Sequence, residues 1–540
     1  MINQINHNKN FLEELSERCK YFYFLQEYNS QIDELIRQCQ QPFTVAVVGR
    51  MKTGKSTIIN ALAGSPIAIT DVEEATATIN FLCYGDCEQS KSFIVHYKNG
   101  FSETLPLDKL AQWTGKDHAV INRAKETAYL DFFAPIDSLK NMQIVDTPGT
   151  GSIKEEHETA ASTFLNPSAI DESTAGGRKA DAIIYVMLPV ARASDEDSLG
   201  DFDKTRLSGS DPYNSVCVLH KWDGITDNSK TDALSKASKL KKDMGRLVAD
   251  IIPISAPVAL MAKTVSNDYF ELLIEVINDL RQLSEQERKM LYLSAELWDE
   301  DNRRKMLRQA HPLPWSSLRW IVQECLASQE IKKDEVRDYF LSLSGITALE
   351  TILHRRFFCR SYIIKQRKFL SDTQRLLDQV IQKLESEKSD LEKTSYYGSR
   401  IFNSIKSEDV NESAWLRRLI ERSQSSHTYC ENLLVELQKR WESLKGEINS
   451  LEMDSVALDH IEHNQEYFES GECSFLKMLL NHNTSYHMEN NIERLDSFFF
   501  NIRKKISIAE QSSLLKKERS IYSHITRRMD ALYSEFGLDI

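Results

Sequence analysis

Residues 43–57 read FTVAVVGRMKTGKST, an apolar run that leads directly into a segment rich in glycine, lysine and hydroxyl side chains. Gly49, Gly54, Lys55 and Ser56 fit the phosphate-binding spacing GxxxxGK[ST]. Glycines at these points let backbone N–H groups converge on phosphate oxygens, and the N-terminus of the next helix adds to the same anion site. The stretch therefore predicts a buried strand, a phosphate-binding loop (P-loop) and a helix.

The composition limits the class of protein. The chain has 540 residues, 41% of them hydrophobic, so two or three folded domains are expected. A net charge of −13 argues against a general nucleic-acid binder, which needs a basic face. Nine dispersed cysteines indicate a reducing compartment. The N-terminus shows no signal pattern, and no apolar run approaches the ~20 residues that span a bilayer. We therefore expect a cytoplasmic chain whose membrane contact, if any, is peripheral.

The P-loop is the first predicted site. Lys55 is expected to reach the β- and γ-phosphates of a bound nucleotide, and the Ser56 hydroxyl is expected to ligate Mg²⁺. The residues expected to bind nucleotide here are Gly49, Arg50, Met51, Lys52, Thr53, Gly54, Lys55, Ser56 and Thr57.

Two later strand ends carry the other residues that a GTPase needs. MQIVDTPG at 142–149 ends in Asp146, whose carboxylate can hold the Mg²⁺ shell, and in Gly149, whose N–H can sense the γ-phosphate. SVCVLHKWD at 215–223 ends in Asp223, which can accept hydrogen bonds from guanine N1–H and N2–H₂.

Three further residues complete the predicted base pocket. The Lys221 stem is expected to lie over the base, and Ser255-Ala256 at the end of IIPISAP (251–257) fits a weak final base-contacting motif. His220 stands where the usual pattern has Asn or Thr. Two alternatives therefore stay open, namely guanine selection and a relaxed or different base preference.

The pattern of hydrophobic and β-branched residues along the chain predicts an α/β region followed by an all-α region. Residues 8–40 have a helical period that is interrupted at Asn29-Ser30. Six β-branched runs predict strands of a mostly parallel sheet with helices on both faces: TVAVV (44–48), SFIVHY (92–97), MQIVD (142–146), AIIYVML (182–188), SVCVL (215–219) and DIIPIS (250–255). Residues 267–355 read as helical with a break at 311–315, and long helical stretches near 361–396, 413–452 and 488–535 predict an elongated bundle.

These motifs together resemble the nucleotide site of the bacterial dynamin-like GTPases. The similar stretches are GRMKTGKSTIINALAG (49–64), EATATINFLCYG (74–85), DTPG and HKWD, within residues 43–260. The labile-enterotoxin-output (Leo) type is the member group we expect to be nearest. The resemblance implies three segments: 1–41, which joins the helical bundle; 42–355, a dynamin-type GTPase domain with a helical extension from about 267; and 356–540, the bundle that forms the neck or trunk.

The resemblance also implies further catalytic residues. A switch threonine of the family closes over Mg²⁺ and the γ-phosphate, and Thr76 falls at that place, with Thr78 as the fallback. Lys52 stands where related guanylate-binding proteins carry an internal arginine finger, so it either supplies that charge or is a solvated lysine; Arg50 is a weaker alternative. The implied catalytic set is Lys52, Lys55, Ser56, Thr76 and Gly149, and the implied metal set is Ser56, Thr76 and Asp146.

The function implied by the resemblance is hydrolysis of GTP to GDP with Mg²⁺, coupled to bundle movement or self-assembly in membrane remodelling or vesicle release. The implied partners are GTP and GDP, further copies of the chain, a peripheral lipid surface and a second dynamin-like protein. The alternative is a GTP-dependent switch or scaffold that acts through protein partners without remodelling. For the aromatic and basic segment LDSFFFNIRKKISI (495–508), helical spacing favours the bundle core over a membrane anchor.

Overall fold

The computed structural model describes most of the chain. The described residues are 2–49, 53–64, 79–113, 123, 126–140, 142–146, 180–189, 214–224, 230–244, 248–311, 313–328, 335–404, 410–464, 467–481, 492–512 and 516–535. They fall into two compact units. The sheet unit is Pro42–Ser361, and the helical unit joins Met1–Gln41 to Tyr362–Ile540.

The sheet unit is built on one mixed sheet. Its described strands are β1 (Phe43–Val48), β2 (Ile79–Tyr84), β3 (Ser92–Tyr97), β4 (Ser102–Pro106), β5 (Thr127–Ala134), β6 (Met142–Asp146), β7 (Ala182–Met187), β8 (Ser215–His220) and β9 (Ile251–Ile254). They lie in the order β4-β3-β5-β2-β6-β1-β7-β8-β9. The run β6-β1-β7-β8-β9 is parallel throughout, while β2 is antiparallel to β6, and β3 is antiparallel to β4 and β5.

The central strands are buried along their whole length. Every residue of β1, β7 and β8 is buried, as expected for parallel strands whose two faces are both covered. The six strands predicted from β-branched runs are all present. The sequence prediction missed β2, β4 and β5, the part of the sheet that includes all the antiparallel pairing.

The described helices follow in chain order. The N-terminal helices are α1 (Ile2–Tyr21) and α2 (Asn29–Gln40). In the sheet unit they are α3 (Lys55–Ala63), α4 (Lys230–Met244), α5 (Ala256–Thr264), α6 (Asn267–Arg281), α7 (Glu285–Leu291), α8 (Ala295–Trp298), α9 (Asn302–Ala310), α10 (Trp315–Ala327), α11 (Val336–Ser344) and α12 (Ile346–Ile352). The C-terminal helices are α13 (Ser361–Ser404), α14 (Val410–His463), α15 (Ser470–Leu480), α16 (Ile492–Ser512) and α17 (Lys516–Glu535).

Helices α6 to α12 form the predicted helical extension, and they return to the sheet. The predicted break falls between Ala310 and Trp315, where α9 ends and α10 begins. The turn between α11 and α12 is set by Gly345, which has φ +81°. A Cβ there would lie 2.3 Å from the carbonyl oxygen of Pro253 in β9, so only glycine allows this close approach.

The helical unit has one hydrophobic core that includes residues from both ends of the chain. Leu12 and Leu15 of α1 belong to the same buried cluster as Leu433 and Leu437 of α14. This confirms that the N-terminal segment joins the C-terminal bundle. The helix ends differ from the prediction: the N-terminal interruption includes a 3₁₀ turn at Gln26–Tyr28, and the last predicted stretch consists of two helices, α16 and α17.

Helices α13 and α14 form a long antiparallel hairpin. Lys388 pairs with Glu431 at 3.0 Å, and Arg367, one to two turns from the start of α13, bonds to Glu452 near the end of α14. The 44 residues of α13 extend about 66 Å at the rise of an α-helix, which confirms an elongated bundle. In α16 the side chains of Phe499 and Ile502 are buried, so the core interpretation of 495–508 is confirmed at those positions.

No helix in the part of the chain that the structure describes is both long enough and apolar enough to cross a bilayer.

Candidate nucleotide-binding site

The P-loop begins and ends at glycines whose backbone φ angles are positive. Gly49 has φ +152° and Gly54 has φ +97°. A Cβ on Gly49 would lie 2.4 Å from the carbonyl oxygen of Val186 in β7, so the chain can leave β1 along this path only through glycine. Gly54 is the N-cap of α3, and its carbonyl oxygen accepts the first helical bond from Ile58 N–H at 3.0 Å. The loop therefore meets a helix N-terminus, as the spacing predicts.

Lys55 is buried at the start of α3. Its Nζ donates a hydrogen bond to the carbonyl oxygen of Gly49 at 3.2 Å. Burial lowers the pKa of the Lys55 ammonium, and the Asp146 carboxylate acts against that shift. A buried cation in contact with the first residue of the loop is placed to bind phosphate oxygens that enter it.

Ser56 and Asp146 form the polar contact that links α3 to the end of β6. The Ser56 hydroxyl donates to Asp146 Oδ2 at 2.6 Å. Asp146 Oδ1 is buried and makes no hydrogen bond within the described residues. Burial raises the pKa of the Asp146 carboxyl, although Lys55 and the Ser56 hydrogen bond oppose the shift. A buried carboxylate with one unsatisfied oxygen beside a hydroxyl fits a hard oxygen-liganded cation such as Mg²⁺.

His220 contacts the P-loop backbone. Its Nδ1 lies 2.7 Å from the carbonyl oxygen of Thr53, so Nδ1 carries the proton and donates. Burial lowers the pKa of His220 to about 4, and the ring is therefore neutral at pH 7. A Cβ on Gly54 would lie 2.3 Å from His220 Cε1. The departure from Asn or Thr thus has a local role, in which the ring joins the end of β8 to the P-loop; its effect on base preference stays a prediction.

Asp223 lies in the short 3₁₀ turn Trp222–Gly224 after β8, and it is buried. Its Oδ2 accepts two hydrogen bonds, from Ser255 Oγ at 2.7 Å and from Ser317 Oγ at 2.6 Å. Ser255 is the N-cap of α5 after β9, and Ala256 is the first residue of that helix. Lys221 is the one described non-glycine residue with positive φ, at +61°, a backbone conformation that is frequently found at functional sites.

Ser317 is the residue that sequence reasoning missed. It lies 94 residues beyond Asp223 in α10 and belongs to none of the nucleotide motifs. Its only signal in the sequence is a serine on a helix face that is otherwise apolar, shared with Ile321 and with Trp320. That pattern is common and does not indicate a site by itself.

The described site residues gather at one edge of the sheet, the carboxyl ends of β1, β6, β8 and β9, where α/β sheets bind ligands. The predicted residues with described positions are Gly49, Thr53, Gly54, Lys55, Ser56, Thr57, Asp146, Lys221, Asp223, Ser255 and Ala256. The remaining predictions lie outside the described residues: Arg50, Met51, Lys52, Thr76, Thr78 and Gly149.

Part of the chain is similar to proteins of a known family. The family model described as Dynamin family matches residues 45–221. Isoniazid-induced protein IniC of Mycobacterium tuberculosis is 26% identical over 246 residues, which cover 44% of this chain and 47% of that protein. Dynamin-like protein 2 of Campylobacter jejuni is 24% identical over 309 residues, which cover 55% of this chain and 46% of that protein.

The chain thus spans a little under half the length of these two curated relatives (47% and 46%). The match to a solved structure of an oligomerised bacterial dynamin pair covers 97% of this chain and 89% of that chain, at 15% identity and a TM-score of 0.34. Residues 45–221, which include the P-loop and Asp146, thus match the dynamin family. Over this part the chain is similar to bacterial dynamin-like proteins. Its expected nearness to the Leo type stays a prediction.

Proposed function

We propose that this protein hydrolyses GTP to GDP and phosphate with Mg²⁺, and that it couples its nucleotide state to movement of the helical bundle or to self-assembly. The observation that carries the proposal is the arrangement of Lys55, Ser56 and Asp146. All three are buried where the start of α3 meets the end of β6, the hydroxyl and the carboxylate are 2.6 Å apart, and one carboxylate oxygen has no partner within the described residues.

Each of these residues has a defined task in phosphoryl transfer. The loop N–H groups and Lys55 would hold the β- and γ-phosphates in line for attack by water. Ser56 and Asp146 would hold Mg²⁺, which when bound neutralises charge on the phosphate oxygens. Because the reaction depends mainly on positioning and electrostatics, no nucleophilic side chain is required. Thr76 and Gly149, which lie outside the described residues, are proposed as switch threonine and γ-phosphate sensor, and Lys52 either supplies an internal cation or is a solvated lysine.

Guanine selection rests on Asp223. Both described hydroxyl contacts of this carboxylate fall on Oδ2, and neither uses Oδ1. Guanine presents two donors on one edge, N1–H and N2–H₂, whereas adenine has no such pair. A site built to accept two hydrogen bonds strongly rejects a base that cannot supply them.

The dynamin resemblance extends the proposal to membranes, and one surface of the helical unit favours it. At the end of the α13–α14 hairpin, Tyr396, Tyr397, Ile401 and Trp415 are each more than half exposed; we call these four residues the hairpin-end cluster. Gly398 packs close to Ile420, with an added Cβ only 3.1 Å from Ile420 Cγ1, so the two helix ends lie together.

Exposed aromatic side chains at one end of a helical hairpin suit the interface between water and lipid, where tryptophan and tyrosine are enriched. Exposed arginines flank the hairpin-end cluster, and Arg400 lies 5.8 Å from the ring centre of Tyr396. The sequence pattern raised 495–508 as an alternative for this role and did not indicate this cluster. We propose a peripheral contact with a lipid surface here, and self-association or pairing with a second dynamin-like protein as the other consequences of the family resemblance.

The second candidate function is a GTP-dependent switch or scaffold that acts through protein partners. It uses the same nucleotide site, so the two candidates differ in how turnover responds to assembly and lipid. Phosphate release from GTP, measured against protein concentration with and without vesicles, separates them. A remodelling protein gains turnover per molecule as it is concentrated or as lipid is added, and a switch does not.

The nucleotide chemistry itself is tested by Lys55→Ala, with Lys91→Ala as the control because Lys91 is exposed and pairs only with Glu88 in its described contacts. We expect Lys55→Ala to abolish GTP binding and turnover while the control retains both. Unchanged GTP affinity in Lys55→Ala would refute the proposal.

Asp223→Asn tests guanine recognition independently. Ser255 and Ser317 should hold the amide oxygen where Oδ2 now lies, which turns the NH₂ group toward the base. Xanthine carries a carbonyl where guanine has its 2-amino group, so we expect affinity for xanthosine triphosphate to rise and affinity for GTP to fall by about 10²-fold. An unaltered preference for GTP would show that Asp223 does not contact the base.

A further inference from the structure

Two hydroxyls from distant parts of the chain meet on one carboxylate oxygen. Ser255 follows β9 and Ser317 lies in the first turn of α10, and both donate to Asp223 Oδ2, at 2.7 Å and 2.6 Å. All three side chains are at most 5% exposed. The sequence motifs include Ser255 but not Ser317, which belongs to the helical extension.

Helix α10 also holds the residue next to Asp223. Trp222 is 1% exposed and packs edge-to-face on Trp320 of α10, with ring centres 4.7 Å apart and an interplanar angle of 77°. Lys221, the residue before, has φ +61°. Backbone in such a conformation persists when the surrounding structure holds it in place. Ser317 and Trp320 lie about one helical turn apart in α10. Their contacts with Asp223 and Trp222 keep the 3₁₀ turn that carries Asp223 in place.

We propose that Ser317 is a positioning residue for guanine recognition, and that it makes base selection depend on the helical extension. The inference rests on the proposed function, because it takes Asp223 as the acceptor for guanine. A carboxylate that forms two hydrogen bonds to one base must hold its plane in line with that base. Two donors from different elements on Oδ2 hold that oxygen more firmly than one donor does, so they restrict rotation of the carboxylate about its χ2 bond more strongly.

A purely structural serine makes a different prediction. If the Ser317 hydroxyl only satisfied its own hydrogen bonding, its loss would destabilise the sheet unit. The affinity for every nucleotide would then fall by the same factor. If the hydroxyl instead orients the carboxylate, its loss must lower most strongly the affinity for the ligand that uses both hydrogen bonds. Inosine triphosphate provides the comparison, because hypoxanthine keeps N1–H but lacks the 2-amino group of guanine.

The experiment measures affinities of the full-length chain with Mg²⁺ for GTP, inosine triphosphate and ATP, in the unaltered protein, Ser317→Ala, Ser317→Thr and the control Ser316→Ala. Ser316 is the partly exposed neighbour of Ser317 in α10. We expect Ser317→Ala to lower the affinity for GTP about tenfold and the affinity for inosine triphosphate by no more than about threefold. Ser317→Thr keeps the hydroxyl and should keep the preference for GTP over inosine triphosphate, and Ser316→Ala should match the unaltered chain.

Thermal melts of each variant show whether the sheet unit is intact. Equal weakening of GTP and inosine triphosphate in Ser317→Ala, or no weakening of either, overturns the inference, as does loss of the GTP preference in a folded Ser317→Thr variant. Failure of the proposed function looks different, because the unaltered chain would then not prefer GTP to ATP. If the unaltered chain prefers GTP and only the Ser317→Ala result disagrees, the proposed function stands and the role of Ser317 falls.

Discussion

The His220 imidazole makes the stability of the sheet unit depend on pH. Its pKa is about 4 in the folded protein because the ring is buried; the Thr53 carbonyl and Asp223 act to raise it, while Lys221 acts to lower it further. An unfolded histidine titrates near 6.5. Between these two values the unfolded chain binds more protons, so stability is complete above about pH 6.5 and decreases as the pH falls toward 4.

We therefore expect acidification from about pH 7.5 to about pH 5 to lower the free energy of unfolding by roughly 2 kcal/mol through this residue. His220→Asn can still donate to the Thr53 carbonyl but does not titrate, so it should lose that part of the pH dependence. Urea unfolding of the sheet unit, followed by tryptophan fluorescence at both pH values, provides the measurement. The control is His354→Asn, which removes an exposed histidine from the same unit.

His354→Asn should show the same pH dependence as the unaltered chain. If His220→Asn kept the full decrease in stability at low pH, the buried neutral ring would not be its source, and other titrating groups of the sheet unit would have to explain it.

The single residues of the site divide into those that a sequence can predict and those that it cannot. Lys55, Ser56 and Asp146 could be predicted because each lies at a fixed spacing from a strand end or from a glycine. Ser317 and the contact of His220 with Thr53 could not, because they depend on how α10 and β8 approach other parts of the chain. Hydrogen bonds between residues 94 and 167 positions apart leave no local pattern.

The strands also divide into those that the sequence predicts and those that it does not. Strands with continuous apolar runs were predicted because burial on both faces leaves no polar position. β4, with sequence SETLP, is an exposed edge strand that ends in proline, and β5 carries Asp131, whose charge interrupts the apolar pattern. Asp131 is tolerated because His96 of β3 lies 3.0 Å from its carboxylate. A pattern-based prediction cannot anticipate a partner on another strand.

Two glycines in the α13–α14 hairpin should respond oppositely to substitution. A Cβ on Gly446 would meet no atom within 4 Å, so Gly446→Ala should raise the free energy of unfolding of the helical unit by about 0.5–1 kcal/mol, since alanine favours helix over glycine. A Cβ on Gly398 would lie 3.1 Å from Ile420 Cγ1. The larger Gly398→Val should therefore force the helices apart and lower that free energy by about 1–3 kcal/mol.

Urea titrations followed by far-UV circular dichroism would compare the two variants with the unaltered chain. Each serves as the other's control, because both replace a helical glycine in the same hairpin. Changes of the same sign in both variants would mean that the space around the two glycines does not decide the outcome.

At the scale of the whole molecule, one compact unit carries the candidate nucleotide-binding site and the other carries an exposed apolar surface. The sequence indicated both units, because a P-loop with α/β alternation and long helical periods are local patterns. It did not indicate the hairpin-end cluster, because helical spacing alone does not show which aromatic residues find a core. Phe499 and Ile502 are buried by neighbouring helices, whereas Tyr396 and Trp415 lie where α13 and α14 approach their ends.

If the hairpin-end cluster contacts lipid, its loss should abolish membrane binding without affecting nucleotide chemistry. We expect the variant with serine at Tyr396, Tyr397, Ile401 and Trp415 to float with anionic vesicles at least about tenfold less than the unaltered chain, because these four side chains supply the apolar area that would enter the interface. Basal GTP turnover without vesicles should stay unchanged.

The matched control has serine in place of Val435 and Tyr467. These two residues are 63% and 58% exposed in the same unit but lie away from the hairpin end, so the control should float normally. Equal flotation of all three proteins would show that the cluster is not the lipid contact, and absence of flotation even in the unaltered chain would favour the switch or scaffold over the remodelling GTPase.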